Sequence, residues 1–234
     1  MKQVTAIVLA AGKGLRLKSK ISKPLIKIDS KPGIIYCLAA LSRHPDIKDI
    51  IVVVNSINAG EIIKRIRGYR IKKIKNVVKG GKERRDSVLN GLRAMSLKAE
   101  LVLIHDGVRP FINKNMITAV INEAARYGAA VTGVPVKATI KKLQAPGSKL
   151  QAPIIENTLD RNNLWEIQTP QAFRKDLLVR AYKKYARLSV TDDAALVEKL
   201  GVPVRVVRGA YSNIKITTPE DLIIAEAIVK NSKF

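Results

Sequence analysis

Short, uninterrupted apolar runs that alternate with stretches of helical periodicity constrain this chain more than any other feature. Residues 4–9 form one such run, bounded by Ala10-Ala11-Gly12, and comparable runs recur at 50–54, 101–104 and 129–134. A run that is apolar at every position reads as a strand buried on both faces. Between the runs, residues 34–41, 88–95 and 116–125 repeat apolar side chains at the spacing of a helix with one buried face. Alternation of this kind implies a mostly parallel sheet, because parallel neighbours need a crossover and the crossover is usually a helix. The expected fold is α/β: a doubly wound, mostly parallel Rossmann-like sheet with helices on both faces. With 234 residues, 47% of them hydrophobic, the chain can build a full core as a single domain over 1–234.

The later sequence departs from this rhythm. Residues 137–158 mix apolar and basic side chains loosely around Ala145-Pro146-Gly147-Ser148, with a second proline at Pro153, and read as a hairpin-like arm leaving the core. The arm is either an ordinary surface hairpin or, with Ile154 and Ile155 at one end, a dimer contact. Helices are expected over 176–187 and 192–200, and a late strand over 204–207. A final helix is signalled by Thr218 as N-cap, Pro219 at its first position, Glu220 and Asp221 in its first turn, and apolar residues recurring over 222–229.

Composition excludes several classes. The single Cys37 permits no internal disulfide and no cysteine-based metal cluster. No apolar run approaches the roughly 20 residues that span a bilayer, and no cleavable leader precedes the first strand, so a cytoplasmic location is expected. The formal charge of +24, from 43 basic and 19 acidic residues, draws polyanions or phosphorylated small molecules. The cations lack the interleaved aromatics of a single-strand binder, which argues against a nucleic-acid face.

In doubly wound sheets ligands lie beyond the carboxyl ends of the strands, so the loops after Leu9, around Lys79-Gly80-Gly81 and after Ile104 are expected to converge. The first, Ala10-Ala11-Gly12-Lys13-Gly14-Leu15-Arg16, is small enough for backbone N–H groups to approach a phosphate. It matches neither GxGxxG nor the Walker pattern, which disfavours a dinucleotide oxidoreductase or a P-loop ATPase. Arg16 and Lys23 are fixed cations that could embrace a triphosphate. After the third strand comes His105-Asp106-Gly107-Val108-Arg109-Pro110. Asp106 is placed to hold Mg²⁺ against nucleotide phosphates. His105 reads as an orienting residue, and His44 is given no role.

These motifs, together with Gly80-Gly81-Lys82-Glu83-Arg84-Arg85-Asp86-Ser87-Val88, Asp160-Arg161-Asn162-Asn163-Leu164-Trp165, Gln168-Thr169-Pro170-Gln171, Thr191-Asp192-Asp193-Ala194 and Asn213-Ile214-Lys215-Ile216-Thr217, resemble the 2-C-methyl-D-erythritol 4-phosphate cytidylyltransferases from end to end. Gly107-Val108 stands where Ala-Ala is commoner in that family. The resemblance implies transfer of the cytidylyl group of CTP to methylerythritol phosphate by in-line attack, with release of pyrophosphate, in non-mevalonate isoprenoid precursor synthesis. It implies that Arg16, Lys23 and Lys215 are catalytic. It also implies that Ala10, Ala11, Gly12, Gly14, Gly80, Gly81, Ser87 and Asp106 bind CTP, with Asp106 the Mg²⁺ ligand. Arg109, Arg161, Thr169 and Thr191 are implied for the acceptor, with Arg161 delivered across a homodimer by the arm.

Plainer readings stand beside these. Gly80-Gly81 is a turn into a helix, with Ser87 on the surface; Thr191-Asp192-Asp193 is a helix cap; Arg161 stacks on Trp165; Lys215 guards an edge strand. A ribitol-5-phosphate cytidylyltransferase would share the fold and the nucleotide and differ only in the acceptor pocket. A basic nucleic-acid-binding protein on the same scaffold would bind with steep salt dependence.

Overall fold

The computed structural model describes residues 3–12, 22–144, 153–185, 188 and 190–231. The chain opens with β1 (Val4–Ala10), a 3-10 turn at Lys23–Leu25, a two-stranded ribbon of β2 (Lys27–Ile28) and β3 (Lys31–Pro32), and α1 (Gly33–Arg43). There follow β4 (Ile47–Val54), α2 (Ala59–Gly68), β5 (Ile74–Lys79), α3 (Arg84–Arg93), β6 (Leu101–Asp106), α4 (Lys114–Tyr127) and β7 (Ala129–Pro135). The arm carries β8 (Lys141–Leu143) and β9 (Ile155–Thr158), and a 3-10 turn at Arg161–Asn163 leads into β10 (Trp165–Arg174). Then come α5 (Lys175–Lys184), α6 (Ala194–Glu198), β11 (Arg205–Arg208) and α7 (Pro219–Asn231).

The main sheet has the order β11-β7-β10-β6-β1-β4-β5. All its pairings are parallel except those of β10, which runs antiparallel to both β6 and β7. Side chains alternate across β1 as the pleat requires. Ala6 and Val8 face one core with α1 and α4, while Ile7 faces another with α3 and α5. The sheet is thus covered on both sides, as the apolar runs imply. Cys37 lies wholly buried in α1.

β10 and β5 are strands that hydrophobic patterning does not reveal. Residues Gln168-Thr169-Pro170-Gln171 look like a loop, yet all are buried. The sheet tolerates Pro170 because the pairing of β10 with β7 shifts register between Gln168 and Gln171. β5 is the sheet's edge, half-exposed, with Lys75 and Lys79 outward, a composition that discourages further pairing. At the start of α7 the capping acceptor is Asp221, whose Oδ2 receives the backbone N–H of Thr217 at 2.7 Å and of Thr218 at 2.8 Å. In the arm, β8 and β9 pair antiparallel and Lys142 bridges Glu156 at 2.6 Å. The tip at 145–152 lies outside the described residues.

Candidate active site

Three loops meet at the carboxyl end of the sheet. The backbone N–H of Gly80 donates to the Val54 carbonyl at 2.7 Å, which ties the turn after β5 to the end of β4, and Gly80 packs against Ala11, just past the end of β1. A Cβ on Gly80 would stand 2.5 Å from Ala11 Cβ and 2.7 Å from Ser87 Oγ, and one on Gly81 would stand 2.1 Å from Asp86 Cβ. Both glycines are therefore required by close approach. Ser87 is buried, and its hydroxyl receives the Gly81 N–H at 3.2 Å and donates to the Glu83 carbonyl at 3.2 Å. It fixes the turn, so the surface reading of Ser87 is corrected. Glu83 and Asp86 form a capping box at the start of α3.

Two further residues brace this rim. Asn58 Nδ2 donates to the Ala10 carbonyl and to Ser22 Oγ, each at 2.9 Å, and Asn55 Nδ2 donates to the Ala11 carbonyl at 3.3 Å. The signal for them is an Asn-Ser-Ile-Asn turn after β4. Gly12 is described at the end of this loop; Gly14 and Arg16 lie outside the described residues. Gly80→Ala forces Ala11 or Ser87 aside at a cost of about 1–3 kcal/mol. If the turn holds CTP, as the resemblance implies, CTP affinity falls about tenfold, which calorimetric titration measures.

The second focus is Asp106 at the end of β6. His105 is wholly buried; its Nε2 lies 2.9 Å from the Arg109 carbonyl, and its Nδ1 lies 3.1 Å from Thr169 Oγ1. Since a carbonyl only accepts, Nε2 carries the proton and Nδ1 accepts from the Thr169 hydroxyl. Burial pushes the His105 pKa down to about 4, so the ring is neutral and orienting, as expected. The same Thr169 oxygen receives the Asp106 N–H at 3.0 Å. The hydrogen bonds of Thr169 thus support Asp106 from beneath.

The Asp106 carboxylate faces two cations: Lys215 Nζ is 2.7 Å from Oδ2 and Arg84 Nε is 3.9 Å from Oδ1. Burial raises its pKa, but Lys215 and then Arg84 outweigh it and hold the group down at about 2. Lys215 lies outside any strand, which removes its edge-strand reading. Its segment is fixed by buried Asn213, whose Nδ2 donates to the Thr169 carbonyl at 2.9 Å, and by Ile216 N–H on the Val108 carbonyl at 2.9 Å. Lys23 reaches the same segment, its Nζ 2.8 Å from the Thr217 carbonyl. Arg109 is half-buried, with Nη1 2.7 Å from the Asn213 carbonyl, and burial lowers its pKa.

The turn before α6 borders this centre through Arg84, whose Nη2 pairs with Asp193 Oδ2 at 2.7 Å. Within that turn Asp192 is the capping residue: it receives Ala195 N–H at 3.1 Å and Gln171 Nε2 at 2.8 Å. Thr191 itself is exposed. Arg161 stands apart from these groups, at the base of the arm, donating to the Lys137 carbonyl at 2.8 Å. The cation over Trp165 is Arg208, at 5.6 Å from the ring. His44 is structural, linking α1 to Thr118 of α4 at 2.9 Å.

The model of the 2-C-methyl-D-erythritol 4-phosphate cytidylyltransferase family matches residues 4–231. The chain belongs to this cytidylyltransferase family. Similar proteins of that name include one from Alkaliphilus metalliredigens (strain QYMF), 45% identical over 99% of this chain and 95% of its own. Another, from Syntrophus aciditrophicus (strain SB), is 43% identical over 99% and 97%. Among solved structures, a 4-diphosphocytidyl-2C-methyl-D-erythritol synthase from Anaerococcus prevotii DSM 20548 superposes with a TM-score of 0.84 at 36% identity, covering 98% of this chain and 96% of that one. The 2-C-methyl-D-erythritol 4-phosphate cytidylyltransferase from Thermus thermophilus gives 0.77 at 31% identity, covering 97% and 99%.

Among the described residues no three His, Cys, Asp or Glu side chains converge, so a cage made of protein alone is not built. Asp106 offers one ionised carboxylate at a strand end, beside cations suited to phosphate oxygens. That donor set fits Mg²⁺, which usually takes one or two carboxylates and completes its shell with phosphates and water.

Proposed function

We propose that this chain transfers the cytidylyl group of CTP to 2-C-methyl-D-erythritol 4-phosphate, yielding the CDP-linked product and pyrophosphate. The observation that carries the proposal, in a chain of this family, is the Asp106–Lys215 pair, with Lys23 on the Thr217 carbonyl two residues past Lys215, beside a glycine turn that has no room for a Cβ. The backbone of Ala10, Ala11, Gly80 and Gly81, with Ser87 fixing the turn, receives the cytosine in a slot too shallow for a purine. Gly12 and Gly14 present backbone N–H groups to the phosphates. Lys215 would turn from Asp106 to those phosphates, and Asp106 would hold Mg²⁺, which would offset phosphate charge.

A phosphate oxygen of the acceptor attacks the α-phosphorus of CTP. The new P–O bond forms as the bond to the β-phosphate oxygen breaks and pyrophosphate departs with the electron pair. Arg16 and Lys23 stabilise the charge that builds on the α-phosphoryl oxygens, and binding both substrates in line supplies the rest. Arg109 and Thr191 hold the acceptor, and Thr169 contributes by orienting Asp106. The +24 charge steers both phosphorylated substrates inward. Phosphorus NMR tests the reaction: a pair of mutually coupled diphosphate signals together with free pyrophosphate is expected, and CMP as the sole nucleotide product contradicts it.

The proposed enzyme is a cytoplasmic homodimer. Trp165, Ile167 and Val206 near the β11 edge, with Leu143, Ile154 and Ile155 on the arm, are exposed, a set of apolar groups suited to a second copy. Among the described residues no helix is long and apolar enough to cross a membrane. The dimer brings the partner subunit's Arg161 to the acceptor. Mixing Lys23→Ala with Arg161→Ala chains should then restore about a quarter of wild-type activity, since half the dimers are mixed and each has one intact site. No recovery after verified subunit exchange contradicts the sharing.

A further inference from the structure

Arg84, the first residue of α3, joins two carboxylates of different standing. Asp106 borders the reaction centre, whereas Asp193 is 0% exposed and cannot touch a substrate. Asp193 spends one oxygen on Arg84 and the other on the hydroxyl of buried Tyr182 from α5. Such a buried ionic unit is a poor device for stability, because desolvation consumes most of the Coulombic gain and apolar groups often serve as well. It does fix one guanidinium in one place, through a planar fork that leaves little freedom. Opposite it, Lys215 is 42% exposed at its side chain and can swing away from Asp106.

We infer that Arg84, anchored by Asp193 and Tyr182, is a positioning residue that keeps the Asp106 carboxylate oriented while Lys215 turns to the nucleotide phosphates. The inference rests on the cytidylyl-transfer reading. The turn bearing Thr191 is tied independently, through Gln171 and Asp192, so loss of Arg84 should disturb the nucleotide side and spare the acceptor.

The test compares Arg84→Met, Asp193→Asn, the double variant, Arg84→Lys and Tyr182→Phe with wild type. For Arg84→Met we expect kcat to fall about a hundredfold, with the KM of the acceptor within about threefold of wild type. Arg84→Lys should recover part of that loss, and Tyr182→Phe should fall by about threefold to tenfold. The double variant should be no slower than Arg84→Met alone, because Asp193 acts through Arg84. Calorimetric titration with CTP should show the affinity gained on adding Mg²⁺ reduced about tenfold in Arg84→Met, with affinity in the absence of Mg²⁺ little changed.

Unchanged kcat and unchanged Mg²⁺-dependent binding in Arg84→Met overturn the inference, as do additive losses in the double variant. If Arg84→Met does not fold, Arg84→Lys and Tyr182→Phe decide by the same titration. A wild-type protein that binds CTP without consuming it in the presence of methylerythritol phosphate defeats the reaction instead.

Discussion

Lys23→Ala lowers kcat by about two to three orders of magnitude while CTP affinity changes by less than about threefold. The split follows from where the lysine stands. Ser22 is bonded through Asn58 to the end of β1, and Pro24 is buried, so the Lys23 backbone is held at the mouth of the nucleotide loop. Its ammonium bonds a neutral carbonyl, that of Thr217, which a phosphoryl oxygen of growing negative charge outcompetes. The lysine therefore gains most as charge accumulates in the transition state. Rapid-quench turnover alongside equilibrium CTP titration separates the two quantities. A weaker Kd with wild-type kcat would make Lys23 an anchor for ground-state nucleotide.

Asp106→Asn removes the other half of the charge arrangement and should lower kcat by about a thousandfold at saturating Mg²⁺. Asparagine fills the same volume, and the backbone N–H that donates to Thr169 remains, so the fold is retained. What disappears is the charge between Lys215 and Arg84: Arg84 keeps Asp193, while Lys215 loses the carboxylate it pairs with. The concentration of Mg²⁺ needed for half-maximal rate should rise, read from activity against metal at fixed CTP. A variant with wild-type rate and metal dependence would remove Asp106 from the centre.

Much of the fold is legible from hydrophobic pattern because β1, β4, β6 and β7 are buried on both faces and carry little else. β10 is hidden for the opposite reason. Its central residues are polar and become buried only through partners distant in sequence: Thr132 Oγ1 on the Pro170 carbonyl at 3.1 Å, Gln171 Nε2 on Asp192, and Asn213 Nδ2 on Gln168 Oε1. At the site, Asp106 is readable from its place after an apolar strand. Lys215 is readable only through the family resemblance, since its Ile-flanked setting equally suits an edge strand. Arg84 sits within the charge run Glu83-Arg84-Arg85-Asp86 and meets Asp193 across 109 positions. Periodicity and spacing carry no information about such a pair.

The measurement that bears most directly on the central claim is pyrophosphate release from CTP and Mg²⁺ with methylerythritol phosphate, with ribitol 5-phosphate, and with no acceptor. The account predicts release that depends on methylerythritol phosphate and exceeds the other two conditions by at least about a hundredfold in kcat/KM. Release that prefers ribitol 5-phosphate, or proceeds equally without an acceptor, would contradict it.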